Sequence, residues 1–178
     1  MIQMQNDFLS QVEKNIEVQA AGLIAVERED RAFSEARGEL AQIELTDRLR
    51  AKANEDIYFQ LKKLGWFKGQ LKQVFADHFL VATINKLWLV PLSSLLAVSG
   101  LTRAMKKPNP IEARWNQLSS YRDWVIDQTQ VRVQLIDGES IYGELLKLYK
   151  DHFELKTQAE LVAINYSSVL VAMRNYES

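Results

Sequence analysis

"GQLKQVFADHF" occupies residues 69–79 and "GELLKLYKDHF" occupies residues 143–153. The glycine, the leucine two places later and Asp-His-Phe fall at matching positions, and the two copies hold the only histidines in the chain. Aligned without a gap, residues 60–97 and 134–171 give 12 identities over 38 positions. Gln60/Gln134, Leu61/Leu135, Thr83/Thr157, Leu87/Leu161, Ser93/Ser167, Ser94/Ser168 and Leu96/Leu170 complete the set. Roughly two or three would arise by chance, so the chain contains a duplication.

The positions that differ keep their apolar character with period two. Ile57, Phe59 and Leu61 answer to Val131, Val133 and Leu135, while Phe79 and Val81 answer to Phe153 and Leu155. Such alternation turns one face of each strand into a core. Each copy reads as five strands: about 56–62, 66–76, 78–84, 86–91 and 95–99, then 130–136, 140–150, 152–158, 160–165 and 169–174. Asp137-Gly138 and Gly65 mark hairpin turns. "VPLSS" and "INYSS" place a one-turn link before each fifth strand. Two small barrels are expected.

Helical sequence precedes each barrel. In "PNPIEARWNQLSSYRDWVIDQ" (108–128), two prolines stop anything upstream, and Ile111, Trp115, Leu118 and Val125 share a helical face. Residues 6–52 are rich in Glu, Gln, Ala, Arg and Leu and free of proline. Val12, Ile16, Leu23, Val26, Phe33, Leu40 and Ile43 form an apolar stripe there, weakened near Gly22 and Gly38, so one long helix or two helices with a break near Gly22 are expected. The expected fold class is α+β: a long N-terminal helix and two tandem five-stranded barrels, each preceded by a helix. The expected boundaries are 1–54 for the helical segment, 55–100 for the first barrel, 101–128 for a linker with a helix, and 129–178 for the second barrel.

Composition narrows the function classes. The chain is 47% apolar and 25% charged, as in an ordinary globular protein. It has no cysteine, which excludes disulfides and thiolate metal sites and points to the cytoplasm. Residues 79–100 carry one charge, Lys86, yet the matching second-copy segment carries Glu154, Lys156, Glu160 and Arg174. Equivalent segments share one environment, so neither is read as a membrane span. Residues 1–50 and 131–178 sum to −4 and −2, whereas 51–100 and 101–130 sum to +3 and +2. A basic middle between acidic ends is a weak polyanion signal.

A helix followed by five strands, with a long second strand and a one-turn link before the fifth, resembles the Sm-like (SH3-like) fold. "SIYGELLKLYKDHFELK" (140–156) is similar to that family's first motif. The whole chain resembles an uncharacterised actinobacterial family with a helical start, two such barrels and a "DRLR" segment, here within "TDRLRAKA" (46–53). The resemblance implies binding of single-stranded RNA. Where the Sm-like motif has Asp and a base-contacting Asn, this chain has Phe75 and Phe79 in the first copy, and Tyr149 and Phe153 in the second.

Neighbouring residues on a strand point to opposite faces, so Asp77-His78 and Asp151-His152 are not expected to form acid–base dyads. The expected corner puts Asp in the turn, Phe in the core and His on the rim. Two histidines on separate barrels do not make a metal site. No phosphate loop or nucleophile motif occurs, so no catalytic residue, cofactor or small-molecule substrate is expected. Ser93-Ser94 and Ser167-Ser168 read as caps of the short turn. Trp66, Trp88, Trp115 and Trp124 offer stacking surfaces, with Trp115 assigned to the core.

The expectation is a non-enzymatic interaction protein, joined to a copy of itself or to a partner through the stripe Val12, Ile16, Leu23, Val26, Phe33, Leu40 and Ile43. The alternative, inherited from the resemblance, is RNA binding through Lys62, Lys63, Lys68, Lys72, Lys86, Arg103, Lys106 and Lys107.

Overall fold

The computed structural model describes Arg28, Ala41, residues 43–110, Glu112 and residues 117–176. The chain divides into two units, Met1–Ile43 and Glu44–Ser178, and the second carries the architecture below. A short helix α1 (Leu45–Arg50) leads into β1 (Asp56–Leu61), β2 (Gly65–Val74), β3 (His78–Ala82), β4 (Lys86–Pro91) and β5 (Leu95–Ser99). Helix α2 (Gln117–Ile126) precedes β6 (Gln130–Leu135), β7 (Ser140–Leu148), β8 (His152–Lys156), β9 (Leu161–Asn165) and β10 (Val169–Asn175). One turn of 3₁₀ helix, Leu92–Ser94 or Tyr166–Ser168, precedes the fifth strand of each copy. All ten strands lie within two residues of the positions set by the alternation.

The hairpins follow the turn chemistry. Gly65 and Gly138 take φ of 86° and 106°, a region that glycine enters without strain. The Glu139 N–H donates to Asp137 Oδ1 at 2.9 Å. The repeated Gly69 and Gly143 serve a different need. A Cβ on Gly69 would lie 2.8 Å from Ala82 O, and one on Gly143 would lie 2.6 Å from Lys156 O. At this point β2 and β7 approach the next strand too closely for any side chain.

The expected pair of closed barrels is not what forms. All ten strands belong to one antiparallel sheet, in the order β5-β1-β2-β3-β4-β10-β6-β7-β8-β9. The copies are fused where β4 pairs with β10, through Leu89↔Ala172, Trp88↔Met173, Leu87↔Arg174 and Lys86↔Asn175. Packing explains the fusion. Leu87 and Leu89 of the first copy sit in the second copy's core, while Val171 and Met173 of the second sit in the first copy's core. Each of these strands is apolar on both faces because each face belongs to a different core. Burying four such side chains is worth about 1.5–3 kcal/mol apiece.

The helical expectation changes as well. Of the helix expected over 6–52, the described residues hold α1 and the helical Arg28 and Ala41, and the chain turns over 51–54, where Asn54 takes φ of 69°. Val12, Ile16, Leu23, Val26, Phe33 and Leu40 lie outside the described residues, and Ile43 is half-buried and non-helical. Helix α2 appears before the second copy, but its inward residues are Tyr121 and Trp124, with Val125 packed at the core's margin. Ile111, Trp115 and the Leu118 side chain lie outside the described residues. Residues 79–100 hold β3, β4 and β5 rather than a span, and no described helix is long and apolar enough to cross a membrane.

Candidate interaction surfaces

The two Asp-His-Phe corners do form dyads. His78 Nδ1 lies 2.9 Å from Asp77 Oδ1, and His152 Nδ1 lies 2.7 Å from Asp151 Oδ1. The period-two rule fails here because Asp77 and Asp151 sit in the bend before the strand. The hydrogen bond from His152 holds the Asp151 carboxyl below its ordinary pKa. Phe79 and Phe153 are fully buried, as the corner reading requires.

The two histidines, however, differ sharply. His78 is 2% exposed rather than on a rim, and the Tyr121 ring packs edge-on to it at 5.9 Å. His152 is partly exposed and stacks on Tyr149 at 4.4 Å. Their surroundings explain the difference, because His78 lies at the joint between the copies and His152 at the far end of the second.

A cleft of about 540 Å³ separates the corners, lined by Asp77, His78, Ser93, Asp151, Asn165 and Tyr166 among others. Beside it, Tyr121 and Tyr166 have buried hydroxyls with no hydrogen-bond partner among the described residues. Burial pushes the Tyr166 phenol up to about 12 and the Tyr121 phenol higher still. Both therefore remain neutral, and with Phe153 they make an aromatic cluster with ring centroids 5.2–5.6 Å apart. The hydrogen bond to Asp77 fixes the orientation of the His78 imidazole against Tyr121 of this cluster. Among the described residues no group of three His, Cys, Asp or Glu side chains is placed to hold a metal.

The "DRLR" segment is a clasp. Asp47 is buried between Arg50 Nη1 at 3.0 Å and Lys107 Nζ at 2.5 Å, and its carbonyl accepts the Lys106 N–H at 2.9 Å. Arg48 Nε donates to Thr102 O at 3.1 Å, and Leu49 is fully buried. The segment thus ties α1 to the connection that follows β5.

The eight candidate RNA cations are dispersed and partly engaged. Lys68 pairs with Asp56 at 2.9 Å, which raises its pKa, and its ammonium lies 5.7 Å from the Tyr58 ring centroid. Lys63 donates to Ile136 O, and Lys72 to Gln70 Oε1. Lys107 is held by Asp47. Lys62, Arg103 and Lys106 are exposed, the last with its backbone N–H committed to Asp47. Lys86 is half-buried in a cleft with Arg132 and Tyr142. Of the tryptophans, Trp124 is buried, Trp88 is half-buried and Trp66 is exposed.

What sequence reasoning missed is the pair of sheet ends. Among the described residues, β5 and β9 each have a neighbouring strand on one side only. Leu96, in β5, is 56% exposed, whereas its repeat equivalent Leu170 in β10 is 1% exposed. Leu161, in β9, is 55% exposed, whereas its equivalent Leu87 in β4 is 4% exposed. Tyr149 is exposed and its equivalent Phe75 buried. A signal was present in "LVAIN", which is as apolar on both faces as a strand with two neighbours.

No protein-family model matches this sequence, and no curated protein matches it either.

Proposed function

We propose that this chain is a non-enzymatic assembly protein of the cytoplasm that associates with copies of itself through the ends of its sheet. The carrying observation is the contrast between equivalent strands. Leu96 and Leu161 are exposed on the two end strands, while their equivalents Leu170 and Leu87, on the strands that pair internally, are buried. Unpaired edges with exposed apolar side chains template strand addition unless something covers them. The lack of cysteine supports the compartment. Light scattering on the full chain tests the reading: the molar mass should rise with concentration through the micromolar range. A mass fixed at 20.5 kDa up to hundreds of micromolar would overturn it.

A second reading, RNA binding, draws support from cation–aromatic pairs at matching places in the two copies. Tyr58 faces Lys68 across β1 and β2, and Arg132 faces Tyr142 across β6 and β7. An exposed ring beside a cation can stack a base and meet a phosphate. The expected binding is weak, sequence-tolerant and steeply salt-dependent, because Lys68 and Lys107 already have acidic partners. Titration with a generic single-stranded RNA at two salt concentrations measures this. Tight, salt-insensitive binding to one short motif contradicts it.

A further inference from the structure

We infer that the cleft between the two Asp-His corners is a binding site for an organic cation, an ammonium or guanidinium group held by Asp77, Asp151 and the Tyr166 hydroxyl. The inference goes beyond the assembly reading and does not depend on it, because the cleft is built within one chain.

The duplication brings the same two loops to the cleft twice. Pro91, Leu92 and Ser93 line it together with their repeat equivalents Asn165, Tyr166 and Ser167. In each copy the bend that carries the aspartate is tied to the 3₁₀ turn. The Leu92 N–H donates to Asp77 O at 2.8 Å, and the Tyr166 N–H donates to Asp151 O at 3.1 Å. The following histidine holds each aspartate a second time, through its side chain. The carboxylates nonetheless stay open, with the Asp77 and Asp151 side chains 45% and 77% exposed. Among the described residues, no lysine or arginine lines the cleft. The hydrogen bond from His152 favours the ionised form of Asp151.

The third group is Tyr166, which is 6% exposed and also lines the cleft. Its hydroxyl has no hydrogen-bond partner among the described residues. Burial first, and then the Asp151 charge, raise its pKa, which places the phenol within that carboxylate's field. Buried polar groups are nearly always paired, so an unpartnered hydroxyl beside an open hollow is a group available to a ligand. Its equivalent in the first copy is Leu92, so the hydroxyl is not part of the repeated framework.

These groups select the ligand. Two carboxylates repel a phosphate, which sets the cleft against a nucleic-acid backbone. A metal ion needs more ligands than the described acids and histidines bring together. The Tyr166 ring packs against Tyr121 and Phe153, so a ligand meets its oxygen and not its face. A cation with several N–H donors satisfies all three groups through charge-assisted hydrogen bonds. The volume, about 540 Å³, suits a small molecule or one long side chain.

Titration calorimetry of the full chain with agmatine, which carries an ammonium and a guanidinium, tests this. One saturable site per chain is expected. Asp77→Asn and Asp151→Asn should each weaken binding roughly tenfold, and because asparagine Oδ1 still accepts from the histidine, the corners persist. Glu139→Gln removes an equal charge from the exposed β6–β7 hairpin and should leave the affinity unchanged. Tyr166→Phe should weaken binding roughly threefold or more without lowering the unfolding temperature, since the hydroxyl has no partner in the fold. N-acetylarginine amide separates the sources of the cation. Tighter binding than agmatine names a polypeptide side chain, and weaker binding names a free amine. The inference is overturned by an absence of saturable binding, by displacement with magnesium at equal concentration, or by equal weakening in Glu139→Gln. A Tyr166→Phe variant that loses stability and keeps its affinity overturns it as well.

Discussion

Phe153→Ala is expected to lower the unfolding free energy by about 3–5 kcal/mol. The ring is fully buried, stacks on Tyr121 at 5.2 Å and tilts against Tyr166 at 5.4 Å. Its removal opens a cavity among rigid aromatic neighbours that have little freedom to collapse into it. His152→Ala, one residue away, should cost about 0.5 kcal/mol or less, as for an ordinary surface site. His78→Ala should behave differently, because His78 is buried against Tyr121 and hydrogen-bonded to Asp77. Its loss should cost about 1–3 kcal/mol. Urea unfolding of the three variants gives the ordering. Equal costs for the two histidines would mean that the copies have equivalent surroundings, which contradicts a joint at one end only.

Gly143→Ala should be the most damaging of the glycine substitutions, at about 3 kcal/mol, the upper part of the usual range for overpacking. The added methyl meets Lys156 O at 2.6 Å and Lys156 C at 3.0 Å, both backbone atoms that cannot move without distorting the β7–β8 ladder. Gly69→Ala meets Ala82 O at 2.8 Å together with a Val81 methyl, so its cost should be of similar order. Gly138→Ala separates crowding from backbone strain. Nothing lies within 4 Å of its Cβ, and φ is 106°, so strain alone should cost about 1 kcal/mol. Thermal unfolding of the three variants checks this order. If Gly138→Ala proves costlier than Gly143→Ala, the close approach of β7 and β8 is not what holds the glycine in place.

The strands were legible because each buries one face, and a buried face writes itself as alternation, as in Ile57-Phe59-Leu61 and Val131-Val133-Leu135. The joint was not legible in the same way, since alternation does not say which strand lies alongside. A sign of it was still present: "KLWLVP" and "VLVAM" are apolar at successive positions, the pattern of strands covered on both sides. The Asp-His pairs escape the period-two rule because both aspartates sit in a bend and not in a strand. The partners of the basic residues are hidden for another reason. Lys107 is paired with an acid sixty residues away, Asp47, which no local charge count can find.

Hydrogen exchange on the full chain, at low and high protein concentration, tests the central claim most directly. The account predicts slow exchange for the ladder amides of β4 and β10 at both concentrations, because the joint lies inside the chain. The outward amides of β5 and β9 should exchange fast in dilute protein and slow as the concentration rises, when a neighbouring strand covers them. Fast exchange in β4 and β10 at either concentration, or edges indifferent to concentration up to hundreds of micromolar, would contradict it.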